Sequence, residues 1–393
     1  MSELSSGQEK GRYEMHSAKK LHARLALVMI LAILVGAGSH PLLGADRVQS
    51  AVQTELAAYI DDLFDSEPAW GGALVAKDGQ VLFENSYGWS DYGQAKPNLA
   101  GTVFRIQSLS KTFTAMATLI LVESGRLSLD DRVVDHVPEL REAEGVTIRH
   151  LLQMQSGIPD FLSNAIAQGD MDRFHYPEEL LEYFVDEPLL FEPGSQFDYS
   201  NSNYMLLGLI IERTTGKRYA RFLKKNIFKP LKMRRTRFDP RDRAFAGRRA
   251  IGYDDITVEP PTEADYFLPS LAYSAGGIMS TARNLLKWDQ ALYGERVLSQ
   301  ETLEQAFTRG VSVYGLGWIL DHVRVQGKRH KLVWHTGGGP GFRSALVRMV
   351  DADVTIVLLF NTTGVEDLED EELYRWIANL AKDVGAIVLR DSG

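Results

Sequence analysis

Cysteine is absent from all 393 residues. Its absence excludes disulfides, a thiol nucleophile, cysteine-ligated zinc and lipid attachment through sulfur. It does not settle the compartment, because many exported proteins do without cysteine. Two catalytic signatures are also missing. There is no Gly-x-Ser-x-Gly elbow, which argues against an α/β-hydrolase, and no His-Glu-x-x-His, which argues against a zinc peptidase. The remaining histidines, such as His136, His150 and His175, show no ligand spacing, so no metal is expected. Positive charge is not in excess either: 43 Lys and Arg stand against 52 Asp and Glu, a formal net charge of −9. An acidic chain repels phosphate backbones, so no nucleic acid partner is expected. No internal repeat or low-complexity linker follows residue 45.

What is present is the composition of an ordinary globular protein, 45% hydrophobic and 24% charged. The length suits one large two-lobed domain or two modest ones. At the N-terminus Lys19, Lys20 and Arg24 precede an apolar run from Leu25 to Val35 that continues weakly to Gly38. A basic flank before a short apolar stretch describes a secretory signal peptide, with Ala37 and Ser39 as small residues before a cut. The run is short for a two-sided span. Residues 1–45 are therefore read as a signal peptide or an uncut membrane anchor through residues 25–38, and 46–393 as an exported domain, periplasmic or extracellular.

The spacing of Val48, Val52, Leu56, Ile60 and Leu63 predicts an amphipathic helix over 46–66. Strands at 71–77 and 80–87 flank Asp78-Gly79, a hairpin signal. A helix is expected from Ser108 to Ser124, stopped by Gly125. The stretch from about 126 to 270 is rich in helical patterns, clearest at 147–154, 177–185 and 204–215, and another helix is expected over 281–292. Strands return at 332–335, 343–350 and 354–360, followed by a helix over 366–384. Strands from both ends of the chain can pair into one antiparallel sheet, with the terminal helices on one face and the helical block on the other. This is an α+β fold whose lobes are expected at about 46–107 with 271–393, and at 108–270. A ligand site is expected in the cleft between them.

Three segments carry candidate chemistry. Ser108 and Lys111 are three apart at a helix start, which puts both on one face. A serine hydroxyl needs a neighbouring base, and lysine serves if burial lowers its pKa. Tyr199 and Asn201 flank a turn before a helix, where a phenol can relay a proton and an amide can hold a substrate. His335, Thr336, Gly337 and Gly338 end a strand, where glycine lets a substrate backbone approach closely. The amides of Ser108 and Gly338 are candidate oxyanion donors. Each segment alone has an ordinary explanation: Ser108 as a helix cap with Lys111 solvated, Tyr199 as a core aromatic beside a capping Asn, the glycines as a turn beside a half-buried His335.

In this order, Ser108-Leu-Ser-Lys111, Tyr199-Ser-Asn201 and His335-Thr-Gly337 resemble the motif set of the serine β-lactamase and penicillin-binding protein superfamily. The surrounding text is similar to the branch of class C β-lactamases, D-alanyl-D-alanine carboxypeptidases and related esterases: Phe104-Arg105-Ile106, Thr147 to Leu152, Ser156-Gly157-Ile158-Pro159, Ser274-Ala275-Gly276-Gly277 and Tyr314 to Trp318. The resemblance spans about residues 50 to 385. It implies a β-lactamase/transpeptidase-like fold, acylation of Ser108, proton work shared by Lys111 and Tyr199, and positioning by Asn201. His335, Thr336, Gly337 and Gly338 are then expected to meet the substrate, and no cofactor is needed. His335 sits where many members carry Lys; a neutral His holds a carboxylate less strongly, which weighs against an efficient β-lactamase. The implied substrate is a small molecule or peptide: an ester, an amide, a D-alanyl peptide or a β-lactam. The competing expectation is a non-catalytic sensor or scaffold at the membrane, which the intact motifs disfavour.

Overall fold

The computed structural model describes residues 41–66, 69–363 and 370–390; the apolar stretch 25–38 lies outside them. Residues 49–393 form one compact unit. Before it, only the helical stretch 41–48 is described. Among the described residues no helix is long and apolar enough to cross a membrane.

Six antiparallel strands build the main sheet: β1 (Gly71–Lys77), β2 (Gln80–Tyr87), β3 (Ile319–Val325), β4 (Lys328–Gly339), β5 (Phe342–Met349) and β6 (Val354–Phe360). Their order across the sheet is β3-β4-β5-β6-β1-β2. The N-terminal hairpin thus joins the C-terminal meander through β1 and β6, with Gly71 opposite Phe360 and Lys77 opposite Val354. Asp78 and Gly79 take positive φ in the hairpin turn, as its two-residue loop requires.

Helix α1 (Pro41–Ser66) buries Leu56, Ile60 and Phe64, and Phe64 stacks on Tyr87 with ring centroids 3.9 Å apart. The C-terminal helix, Asp370–Val388, buries Ile377, Leu380, Ala381 and Val384. Glu55 pairs with Arg390 at 2.7 Å, so both terminal helices share one face of the sheet. The helix Ala282–Ala291 packs on β1 and β6. The helical part centres on α2 (Ser110–Glu123) and α3 (Asn201–Thr215), which pack together. Both are buried over most of their length because they run through the core.

Several expectations are adjusted. Ser108 lies in a single 3₁₀ turn, Gln107–Leu109, that leads into α2. The helix expected at 177–185 is a shorter 3₁₀ segment, Glu179–Tyr183. Helices Phe161–Ala167 and Pro269–Gly276 and the strand β3 were not anticipated.

Candidate active site

Ser108 sits in a turn under strain. Gln107, just before it, has φ of +47°, a region that side-chain-bearing residues rarely adopt. Neighbours hold the turn in place. Ile106 N donates to Ile278 O at 3.1 Å, and Ser344 Oγ on β5 donates to Ile106 O at 2.8 Å. Strand β4 presses against the same turn at Gly337. A Cβ there would lie 2.2 Å from Ile106 O and 2.9 Å from Ser108 N, so glycine is required.

One helical turn on, Lys111 is fully buried. Its Nζ lies 3.0 Å from Ser108 Oγ, 2.8 Å from Asn201 Oδ1 and 3.0 Å from Ala275 O. Burial pulls its pKa down to about 7, against the opposing pull of the Asp160 carboxylate. A neutral amine has two N–H bonds and one lone pair. Asn201 Oδ1 and Ala275 O can only accept, so they take the two N–H bonds. The lone pair then faces the Ser108 hydroxyl, the geometry of a general base. Ala275 O is free for this because it lies in the last turn of its helix, where carbonyls lack intrahelical partners.

Asp160 explains why Asn201 presents oxygen rather than nitrogen. Its Oδ2 accepts from Asn201 N at 2.7 Å and from Asn201 Nδ2 at 2.8 Å. Its Oδ1 accepts from Leu162 N at 2.7 Å, capping the helix Phe161–Ala167. With Nδ2 held on the carboxylate, Oδ1 must point at Lys111. Motif reading stopped one residue short of Asp160, at Ser156-Gly-Ile-Pro159; its signal was an acidic residue directly before a helix.

Tyr199 stands beside Ser108 and Lys111. Its side chain is 40% exposed, yet its hydroxyl reaches Ser108 and its ring centroid lies 4.8 Å from Lys111 Nζ. Burial of the hydroxyl raises its pKa above the usual phenol range, so it stays protonated at neutral pH.

His335, expected to meet a substrate carboxylate or carbonyl, is bonded inward in this structure. It is 2% exposed, and both ring nitrogens are engaged within the protein. Nδ1 lies 2.6 Å from Thr336 O, which can only accept, so Nδ1 carries the hydrogen. Nε2 then accepts from the Tyr314 hydroxyl at 2.9 Å. Burial and the nearby Lys111 charge lower the His335 pKa to about 3, so the ring is neutral. The ring braces β4 against the Tyr314 segment. Thr336 is half-buried.

A cavity of about 230 Å³ opens beside Ser108, bordered also by Asn201, Gly338 and Gly339. Phe161, Leu162, Ile166, Phe267, Ala272 and Pro340 make its wall apolar, and among the described residues no charged side chain lines it. Gln107 borders it with a buried Nε2 that has no protein partner. Strand β3 begins at Ile319, opposite Trp334, so residues 335–339 of β4 have β5 on one side and no β3 partner on the other. An extended substrate can align along that edge. Among the described residues no group of His, Asp and Glu is placed to hold a metal ion.

Known proteins are similar to this chain in sequence and fold. A family model described as Beta-lactamase matches residues 58–380. Penicillin-binding protein 4* of Bacillus subtilis (strain 168) is 32% identical over 322 residues, covering 77% of this chain and 70% of that protein. Protein flp of Staphylococcus aureus (strain N315) is 28% identical over 305 residues, covering 73% of this chain but 58% of that protein. Among solved structures, a penicillin binding protein from Bacillus halodurans aligns with a TM-score of 0.71 at 26% identity, covering 81% of this chain and 98% of that one. The D-amino acid amidase from Ochrobactrum anthropi SV3, complexed with L-phenylalanine amide, aligns with a TM-score of 0.73 at 26% identity, covering 88% of this chain and all of that one. By the extent of the family match and the identity to penicillin-binding protein 4*, the chain belongs to the beta-lactamase family, within the superfamily of serine β-lactamases and penicillin-binding proteins.

Proposed function

We propose that the protein is an exported hydrolase that cleaves esters or amides of compact, apolar acyl groups through a Ser108 acyl-enzyme. The carrying observation is the Lys111 amine, buried, poised near neutrality and aimed at Ser108 Oγ by two obligate acceptors. Lys111 takes the hydroxyl proton as Oγ bonds to the substrate carbonyl carbon. The resulting oxyanion is held by the amides of Ser108 and Gly338. When the C–O or C–N bond breaks, the leaving group takes a proton from the Tyr199–Lys111 pair. Water, deprotonated by the same pair, then releases the acid and regenerates Ser108.

The cavity wall supports the choice of substrate. It is apolar and uncharged, which suits a neutral group better than a free carboxylate. His335, neutral and internally bonded, adds no charge for a terminal carboxylate. The likeness to a D-amino acid amidase supports an amide-cleaving role over a carboxypeptidase one. The basic flank and apolar run at 19–35 support export.

The test is intact mass after brief exposure to p-nitrophenyl acetate, comparing wild type with Ser108→Ala. An acetyl adduct in wild type, with adduct and nitrophenol release both lost in the variant, is the expected result. Equal release by both proteins would remove Ser108 as nucleophile. A wild type that forms no adduct with any ester, amide or penicillin would favour the sensor reading.

A further inference from the structure

The chain is acidic overall, but its charge is unevenly spread. Between Lys217 and Arg249 it carries fourteen Lys and Arg against two Asp and no Glu. The net −9 is thus +12 in these 33 residues and −21 in the rest. Neither acidic residue is paired with a cation between Lys217 and Arg237. Asp242 is taken by Arg105 and Arg249, and Asp239 accepts the backbone amides of Arg241, Arg243 and Ala244.

The cations converge on a groove of about 740 Å³ lined by Arg221, Lys224, Lys229, Lys232, Arg234 and Arg237, with Phe228, Met233 and Phe238 beneath them. All six are exposed, and among the described residues none is paired with a carboxylate. Like charges crowded without counter-charges repel one another, so the arrangement is relieved by an external anion.

We propose that this groove docks the protein on an anionic phospholipid surface. Three observations favour a bilayer over a nucleic acid strand. The cations come from a helix, the turns after it and the strand Arg237–Phe238, so they cover an area rather than track one line. Of the segment's aromatic residues, Tyr219, Phe222, Phe228 and Phe238 are buried, and the half-buried Phe245 ring is covered by the Arg237 guanidinium at 5.5 Å, which leaves no row of open rings on which bases stack. An apolar floor beneath a ring of cations matches the glycerol and phosphate of a lipid headgroup. The remaining −21 of charge is then repelled by the same surface and biases which face of the molecule meets it. The inference is independent of the proposed hydrolysis, since none of the groove residues borders Ser108.

The full chain is sedimented with vesicles of phosphatidylglycerol and phosphatidylcholine, or of phosphatidylcholine alone. Neutral vesicles report the N-terminal apolar segment, and the excess on anionic vesicles reports the groove. In the variant Arg221→Glu, Lys224→Glu, Lys229→Glu, Lys232→Glu that excess should weaken by at least about a hundredfold, given four lost surface cations. Binding to neutral vesicles and turnover of p-nitrophenyl acetate should match wild type. The conservative variant Lys224→Arg, Lys229→Arg, Lys232→Arg should keep the excess. In about 1 M salt, where screening acts within about 3 Å, wild type should lose it. No anionic excess in wild type, an equal excess in the Glu variant, or preferential capture by a single-stranded oligonucleotide would each overturn the proposal.

Discussion

At Lys111, one proton decides whether Ser108 has a base. The amine is held near a pKa of about 7 by burial, and the Asp160 carboxylate opposes that effect by favouring the charged form. Because only the neutral amine accepts the serine proton, kcat/KM for a small neutral ester should rise with pH along a limb centred near 7. His335, at about 3, is neutral throughout and contributes no second limb. In Asp160→Asn the charge that favours protonated lysine is gone, so the limb should move to lower pH. Turnover on its plateau should fall, because Asn201 loses the carboxylate that fixes its amide. A pH–rate profile of kcat/KM for both proteins checks this. A wild-type rate flat between about pH 6 and 8 would contradict the assignment of the base. A limb at the same pH in Asp160→Asn would reduce Asp160 to a structural cap.

At the scale of elements, the site depends on how closely β4 lies against the Ser108 turn. Gly337→Ala would push a methyl to within 2.2 Å of Ile106 O, backbone that Ser344 and Ile278 already hold. The turn or the strand must shift, and a displacement of that order should slow acylation by about a hundredfold. Gly338→Ala meets only the Arg343 side chain, at 3.5 Å, and should be milder. Acylation burst rates of the two variants give the comparison, with circular dichroism confirming that both fold; equal rates would mean that β4 does not set the turn. The same element marks where sequence reading succeeded and failed. Asp78-Gly79 between alternating runs, and glycines closing an apolar strand, are local signals, and both hairpin and strand end were legible from them. Ser108, Lys111, Tyr199 and Asn201 were legible as motifs, although only folding brings them together. The strand β3 was not legible: at the sheet edge it mixes Asp321, His322 and Arg324 with its apolar residues, so no clean alternation marks it. The internal engagement of His335 was hidden because its partner Tyr314 lies 21 residues away. The role of Asp160 likewise needs Asn201, 41 residues on, to fold back beside it.

Across the whole molecule, the helix Ala282–Ala291 is fastened to the sheet by a buried charge. Asp289 and Arg348 are both fully buried, with Arg348 Nε 2.5 Å from Asp289 Oδ1. Thr355 Oγ1 donates to Oδ2 of the same carboxylate at 2.6 Å, so one side chain ties this helix to both β5 and β6. Arg348 itself lies against the rings of Tyr293 and Phe307. A pair so deeply desolvated gains little over well-packed apolar residues, but losing one partner leaves an uncompensated charge in the core. Asp289→Ala should therefore cost about 3–5 kcal/mol, read as a lower urea midpoint. None of these residues borders the cavity beside Ser108, so molecules that remain folded should acylate at the wild-type rate. The double change Asp289→Leu, Arg348→Met should recover much of the lost stability, since it removes the buried charge along with its partner. If Asp289→Ala unfolds at the wild-type urea concentration, the helix is held by apolar packing alone. If it folds normally but acylates slowly, the clamp reaches the active site through β5, the strand whose Ser344 secures the Ser108 turn.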